Sequence, residues 1–81
     1  MRVRVLLFSQ LRLAAQRSSL VLELEEGASV GNAVRELLRQ QPALGPLVAS
    51  CLTAVGLDYA SSDQVLVDGD EISLIPPVQG G

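Results

Sequence analysis

Residues 68–81, which read DGDEISLIPPVQGG, decide the fold because they join a turn, a strand and an extended end. The Asp-Gly-Asp start predicts a tight turn, since an Asp side chain bonds nearby backbone and Gly permits a positive φ. Residues 71–75 then alternate, with Ile72 and Leu74 on the same side. This alternation predicts a strand with one buried face.

The end of the chain reads as an arm that leaves this strand. Pro76 and Pro77 have no N–H to donate, so the strand stops there, and a proline pair favours a stiff polyproline II conformation. The terminal Gly80 and Gly81 could be an ordinary frayed end. A stiff stem with a tip free of side chains also suits insertion of the terminal carboxylate into a narrow active site. We therefore divide the chain into a domain, residues 1–75, and an extended tail, residues 76–81.

Two earlier runs alternate in the same way. Residues 2–9 place Val3, Val5 and Leu7 on one face, and residues 19–25 alternate again. Together they predict an antiparallel hairpin. The linking residues 10–18 predict a short helical turn followed by a loop.

The middle of the chain predicts one main helix. Ser29 is a good N-cap, and Pro42 ends the helix. The apolar positions between them recur at helical spacing and predict a core-facing stripe of Val30, Ala33, Val34, Leu37 and Leu38.

The remaining residues predict less regular structure. Residues 43–50 read as a loop with one short turn of helix. Residues 52–60 read as a third strand, in which Gly56 indicates a bulge or a close approach. Residues 65–67 predict a short strand. The fold class is therefore α+β, with a mixed sheet of four to five strands and one main helix packed across it.

Several of these motifs together resemble a known family. The first part is Leu66, the run DGDEI at 68–72 and the ending PPVxGG at 76–81; the second is VLLFSQxR at 5–12. They resemble the small subunit of molybdopterin synthase, a sulfur carrier of the ubiquitin-like β-grasp family. The resemblance spans the whole chain, although residues 13–60 match in pattern more than in motif.

The resemblance implies a reaction cycle for Gly81. A ubiquitin-activating-type enzyme would use ATP and Mg²⁺ to adenylate the Gly81 carboxylate, and a sulfur donor protein would convert it to a thiocarboxylate. The carrier would then give its sulfur to the cyclic pterin precursor in the large synthase subunit, forming molybdopterin for the molybdenum cofactor. The family also implies a cytoplasmic heterotetramer. The residues implied to enter the large subunit are Pro76, Pro77, Val78, Gln79 and Gly80.

Residues outside the tail are candidates for contact with a partner. Phe8, Tyr59 and Ile75 are predicted to form an apolar anchor beside the arm. Arg12 matches the family and could brace the tail or meet an acidic group of a partner, or it could be an ordinary solvated arginine.

Composition argues against several other functions. The net charge is −3, the six cations are all Arg, and the chain has no His or Trp. Nucleic-acid binding favours a basic face and stacking aromatics, and the usual metal sites need His or several Cys.

No apolar run approaches the ~20 residues that span a bilayer. We expect no bound cofactor or metal, and no catalysis by this chain alone, because it has no His, Lys or paired Cys and base.

The single cysteine leaves two interpretations. Cys51 cannot form an intrachain disulfide, which favours an intracellular setting. It could be a small buried hydrophobe or a reactive thiol that handles sulfur, although no His or Lys is present to lower its pKa.

Three alternative functions remain open from the sequence. The chain could be a sulfur carrier for thiamine or another pathway, a ubiquitin-related modifier that links Gly81 to target lysines, or a plain β-grasp interaction module. The Pro76-Pro77 pair before Val78 favours the molybdopterin type.

Overall fold

A five-stranded mixed sheet forms the centre of the molecule in the computed structural model, which describes residues 1–77. The strands lie in the order β2-β1-β5-β3-β4. Their bounds are β1 (Arg2–Leu7), β2 (Ser19–Glu23), β3 (Leu52–Val55), β4 (Asp58–Tyr59) and β5 (Glu71–Ile75).

The last strand lies in the middle of the sheet. β5 runs parallel to β1, with Leu7 opposite Leu74, and antiparallel to β3, with Leu52 opposite Ile75. A parallel neighbour requires a crossover connection, and the helical segments between β2 and β3 provide it. The predicted α+β class and β-grasp arrangement are confirmed.

The main helix, α2 (Val30–Gln40), begins at a reciprocal cap. The Ser29 hydroxyl accepts a hydrogen bond from the Asn32 N–H at 3.2 Å, and Asn32 Oδ1 accepts one from the Ser29 N–H at 2.9 Å. The helix ends before Pro42, as predicted. Val30, Ala33 and Leu37 are buried.

The core lies between this helix and one face of the sheet. The strand residues on this face are buried, and Leu11, Leu44 and Leu66 join them in the core. The predicted inward face is therefore confirmed for β1 and β5, and Leu20 and Leu22 of β2 are buried on the same side. These strand residues are Val3, Val5, Leu7, Leu20, Leu22, Ile72 and Leu74.

The prediction of one strand over residues 52–60 was wrong. β3 and β4 form a hairpin in which Val55 lies opposite Asp58, so Gly56 and Leu57 are its two-residue loop. Gly56 has φ +61°, and its Cβ would meet no atom within 4 Å, so the residue is needed for the turn and not for a bulge or close approach.

Three further segments differ from the sequence prediction. Residues 65–67 form no strand, only a bridge between Val65 and Ser29. The Leu66 N–H donates to the Ala28 carbonyl just before α2, and the Val67 backbone bonds to Asp70 in the following turn. The segment after β1 is a seven-residue helix, α1 (Ser9–Ala15). After α2 come a 3-10 turn (Pro42–Leu44) and α3 (Gly45–Val48), so residues 43–50 are more helical than predicted.

No helix within residues 1–77 is long and apolar enough to cross a bilayer.

Candidate functional site

The candidate site begins where the central strand ends. Ile75 is the last residue of β5, and Pro76 and Pro77 follow it at the same end of the sheet as the C-terminal end of β1. Since β5 has β1 on one side and β3 on the other, the direction of the arm is set by two paired strands.

One face of the sheet carries no helix, and we call it the open face. It presents the strand residues that alternate with the buried ones. Leu6 lies opposite Ser73, Ser73 opposite Ala54, and Ala54 opposite Tyr59, which makes one row across four strands. Ile75 and Leu52 form the next row, and Phe8 follows β1 with extended backbone.

The two rows form an apolar patch beside the start of the arm. Phe8, Leu52 and Tyr59 are 43%, 56% and 71% exposed, so large apolar side chains here face solvent. Contiguous exposed apolar area is typical of an interface. The residues of this apolar patch are Leu6, Phe8, Leu52, Tyr59 and Ile75; Ala54 lies in the same row but is buried.

The other end of the open face is charged. Arg2 Nε donates to Glu23 Oε1 at 2.7 Å, and Arg4 lies opposite both Val21 and Glu71. The open face is therefore divided into a charged half at the start of β1 and an apolar half at its end, beside Pro76.

The structure brings together three of the four residues predicted to contact a partner. Phe8, Tyr59 and Ile75 all belong to the apolar patch. Arg12 does not: it is exposed on α1, the helix whose first residues border the start of the arm. Their roles in binding stay predictions.

Sequence reasoning missed Leu52, which completes the patch beside Ile75. Leu52 faces the same side as Ile75 only because β3 pairs with β5, and that register was not assigned from the sequence. The Gly-x loop at Gly56 could have identified the hairpin of β3 and β4, but no local signal specified the pairing of β3 with β5.

A shallow pocket lies at the root of the arm, between α1 and α3. It is lined by Leu11, Leu47, Cys51, Pro76 and Pro77, among others. The Cys51 thiol donates to the Leu47 carbonyl at 3.3 Å, and partial burial raises its pKa. A raised pKa reduces the thiolate fraction at neutral pH, which favours the structural interpretation of Cys51.

Four residues of the predicted tail, Val78, Gln79, Gly80 and Gly81, lie outside the described residues. Pro76 and Pro77 directly follow β5, as predicted. Among residues 1–77, no three acidic, cysteine or histidine side chains are grouped to hold a metal ion. The described part of the site consists of an apolar surface and the start of an arm.

A family model matches residues 5–81, nearly the whole chain, and its description is the ThiS family. The chain belongs to the ThiS family. Two curated relatives are both molybdopterin synthase sulfur carrier subunits. The protein from Mycobacterium tuberculosis is 36% identical over 81 residues and the match covers 99% of this chain and 98% of the relative. The protein from Chlamydomonas reinhardtii is 31% identical over 83 residues, and the match covers both chains fully.

Solved structures agree with the fold. SAMP1 from Haloferax volcanii superimposes with a TM-score of 0.92 at 25% identity, and the match covers both chains fully. A chain in the complex of subunits 1 and 2 of molybdopterin-converting factor from Helicobacter pylori matches with a TM-score of 0.73 at 26% identity, again over both chains. The family predicted from the tail and first-strand motifs is confirmed.

Proposed function

We propose that this chain is the sulfur carrier subunit of a molybdopterin synthase and that the Gly81 carboxyl group carries the sulfur. The observation that supports this most is the position of the arm: β5, held between two strands, delivers Pro76 and Pro77 beside a solvent-exposed apolar patch. A partner that covers the patch is thereby placed to receive the end of the chain. The names of the curated relatives support the same function.

The first chemical step activates the Gly81 carboxylate. One of its oxygens attacks the α-phosphorus of ATP, pyrophosphate leaves, and the product is a mixed anhydride with AMP. A sulfide-level sulfur then attacks the carbonyl carbon and AMP leaves, which gives a thiocarboxylate. This chain supplies only the carboxylate. A separate adenylating enzyme would bind the ATP and Mg²⁺, and a sulfur donor would provide the sulfur.

The second step transfers the sulfur in the large subunit. The thiocarboxylate is a soft, ionised nucleophile, so its sulfur attacks a carbon of the cyclic pterin precursor and displaces an oxygen leaving group there. Water then cleaves the bond between the Gly81 acyl carbon and the sulfur, which leaves the sulfur on the pterin and returns the Gly81 carboxylate. Cationic and acid or base groups for this chemistry must come from the partner. Gly80 and Gly81 have no side chains, so the walls of a narrow site could approach the backbone closely. Pro76 and Pro77 lower the entropy lost when the arm docks.

The apolar patch is the proposed contact surface for the large subunit. Its exposed Leu52 and Tyr59 lie beside the arm, whereas the charged half of the open face lies at the far end of β1. The solved complex of subunits 1 and 2 from Helicobacter pylori supports a large-subunit partner. We extend this to a heterotetramer of two carriers on a large-subunit dimer, located in the cytoplasm.

The alternatives are a thiamine-pathway carrier and a protein modifier. The four curated relatives all have the molybdopterin name, which favours the first proposal over both.

The test is a single-turnover assay with the thiocarboxylated chain, the large subunit and the cyclic pterin precursor. Because a dithiolene contains two sulfurs and each carrier brings one, two carriers should return to the carboxylate form for each molybdopterin formed. The matched control is the same chain with an unmodified Gly81 carboxylate. Sulfur transfer to a thiazole precursor but not to the pterin would overturn the proposal in favour of the thiamine pathway.

A further inference from the structure

The strand β2 forms one edge of the sheet, and within residues 1–77 its only strand neighbour is β1. Edge strands present unpaired backbone groups that can pair with another chain, and proteins often protect them with Pro, charged side chains or a bulge. Residues 16–25, QRSSLVLELE, contain no Pro, and the register of β2 with β1 is continuous over all five residues. The charged residues of this segment are Arg17, Glu23 and Glu25, so a partner must carry complementary charges.

The register identifies which backbone groups face outward. Leu24 and Met1 exchange two hydrogen bonds, of 2.8 and 2.6 Å, so they form a hydrogen-bonded pair. Such pairs recur at every second residue of an antiparallel ladder. Leu22 and Leu20 therefore also bond to β1, and the N–H and C=O groups of Ser19, Val21 and Glu23 point to the free edge.

The outward groups match a second copy in one antiparallel register. If Val21 lies opposite Val21 of another copy, Ser19 lies opposite Glu23, and every outward N–H and C=O of the strand gains a partner. This gives about six hydrogen bonds across the edge, the number that three hydrogen-bonded pairs provide. The two sheets would join into one.

Charge complementarity selects this arrangement. Continued two residues past each end of β2, the same register brings the exposed Arg17 of each copy near the exposed Glu25 of the other, once at each end. A parallel arrangement would instead place Glu23 and Glu25 of one copy beside the same residues of the other, and like charges in register are destabilising. The acidic end of β2, with Glu23 and Glu25, is therefore better paired with the end of the other copy that carries Arg17.

We propose that two copies of this chain associate through antiparallel pairing of β2 about Val21, with Arg17 and Glu25 setting the register. The apolar patch lies on β1, β5, β3 and β4 and includes no residue of β2, so a copy paired at the free edge of β2 leaves the patch and the arm accessible. The inference does not depend on the proposed function. An edge contact buries little apolar area, so the association is weak and depends on concentration.

The first test is analytical ultracentrifugation of the full chain at low salt, over the range from about 10 µM to about 1 mM in which small interfaces associate. The average mass should rise toward that of a dimer. Arg17→Glu and Glu25→Arg should each weaken self-association by at least about fivefold, since each change creates like-charge pairs at both ends.

Mixing the two single variants is the matched control. The Arg17→Glu chain then offers only acidic groups and the Glu25→Arg chain only basic ones, so both ends are complementary again and a mixed dimer should form. Thermal unfolding of each variant separates loss of pairing from loss of fold. A chain that stays monomeric throughout, or a dimer insensitive to these charges, overturns the proposal.

Cross-linking tests the register itself. In a hydrogen-bonded pair the two Val21 Cα atoms would be about 5.5 Å apart, within the range that a disulfide spans. In a Cys51→Ser background, Val21→Cys should therefore form a covalent dimer on mild oxidation. Tyr59→Cys, on the opposite edge strand and more exposed, is the control. Equal or faster cross-linking at position 59 would contradict pairing through β2.

Discussion

The backbone N–H of Arg2 donates a hydrogen bond of 2.7 Å to Oδ1 of Asp68, which is 66 residues away in sequence. The Gly69 N–H returns one to the Arg2 carbonyl at 2.8 Å. Two hydrogen bonds therefore hold the turn before β5 against the start of β1. This contact helps to set the register of β5 against β1, and so the position of Pro76 and Pro77 at the end of β5.

Removing the Asp68 carboxylate should destabilise the domain. Asp68→Ala leaves the Arg2 N–H without its partner, and we expect a loss of about 1 kcal/mol, typical of a single exposed hydrogen bond. Asp68→Asn retains a side-chain carbonyl and should lose less. Urea unfolding of the three proteins measures the difference, and equal stability of wild type and Asp68→Ala would show that the contact contributes nothing.

The core under α2 should be far more sensitive than the hairpin tip. Leu37 is fully buried and Leu57 fully exposed, and both are Leu. Leu37→Ala should cost about 2–5 kcal/mol because it leaves a cavity, whereas Leu57→Ala should change stability by less than about 0.5 kcal/mol. Denaturant midpoints compare the two directly. Similar losses at both positions would contradict the described packing.

The apolar patch should govern binding to the large subunit. Leu52→Arg and Tyr59→Arg each place a charge in the proposed contact and should weaken binding by about tenfold or more, since a buried unpaired charge is costly. Val65→Arg is the control, because Val65 is similarly exposed but lies outside the patch. Isothermal titration with the large subunit measures the affinities. If only Val65→Arg weakened binding to the large subunit, the contact surface would lie outside the apolar patch.

Acid should weaken the C-terminal half of α2. Hydrogen bonds from Arg39 and Gln40 lower the pKa of Glu36 to about 2 from an ordinary value of 4.5. A lowered pKa stabilises the folded state above pH 4.5, and this contribution is lost as pH falls toward 2. Unfolding measured across that interval should show a smaller pH dependence for Glu36→Gln than for wild type. An identical slope would mean that the ion pair does not contribute.

Cys51 should react slowly with alkylating reagents at neutral pH. Burial raises the pKa of its thiol, and its Sγ also donates to Leu47, so the reactive thiolate is scarce. The rate of iodoacetamide labelling should lie below that of free cysteine at pH 7 and rise with pH. Labelling faster than free cysteine would restore the reactive-thiol interpretation.

The sequence predicted the fold where local pattern and tertiary environment agree. The alternation of β1 and β5 and the stripe of α2 each bury one face, so a period of two or 3.6 residues identified them. The sequence also predicted correctly that α2 begins after an N-cap at Ser29 and ends before Pro42.

The boundaries that failed depend on conformations that residue type alone does not reveal. Helix α1 ends at Gln16 in the left-handed region, φ +60°, where Gly is the usual signal. Residues 65–67 have the composition of a strand, but the Leu66 N–H donates to the Ala28 carbonyl before α2, and the Val67 backbone bonds to Asp70 in the following turn. Leu52 joined the apolar patch through its pairing with Ile75, a long-range register that no short stretch of sequence specifies.

The intact mass of the purified chain tests the central claim most directly, after incubation with ATP, Mg²⁺, a sulfide source and an active adenylating enzyme. The proposed function predicts replacement of one oxygen by sulfur, mapped to Gly81 by fragmentation and absent from a chain that lacks Gly81. An unchanged mass, with the enzyme shown to be active on another carrier, would contradict the sulfur-carrier function.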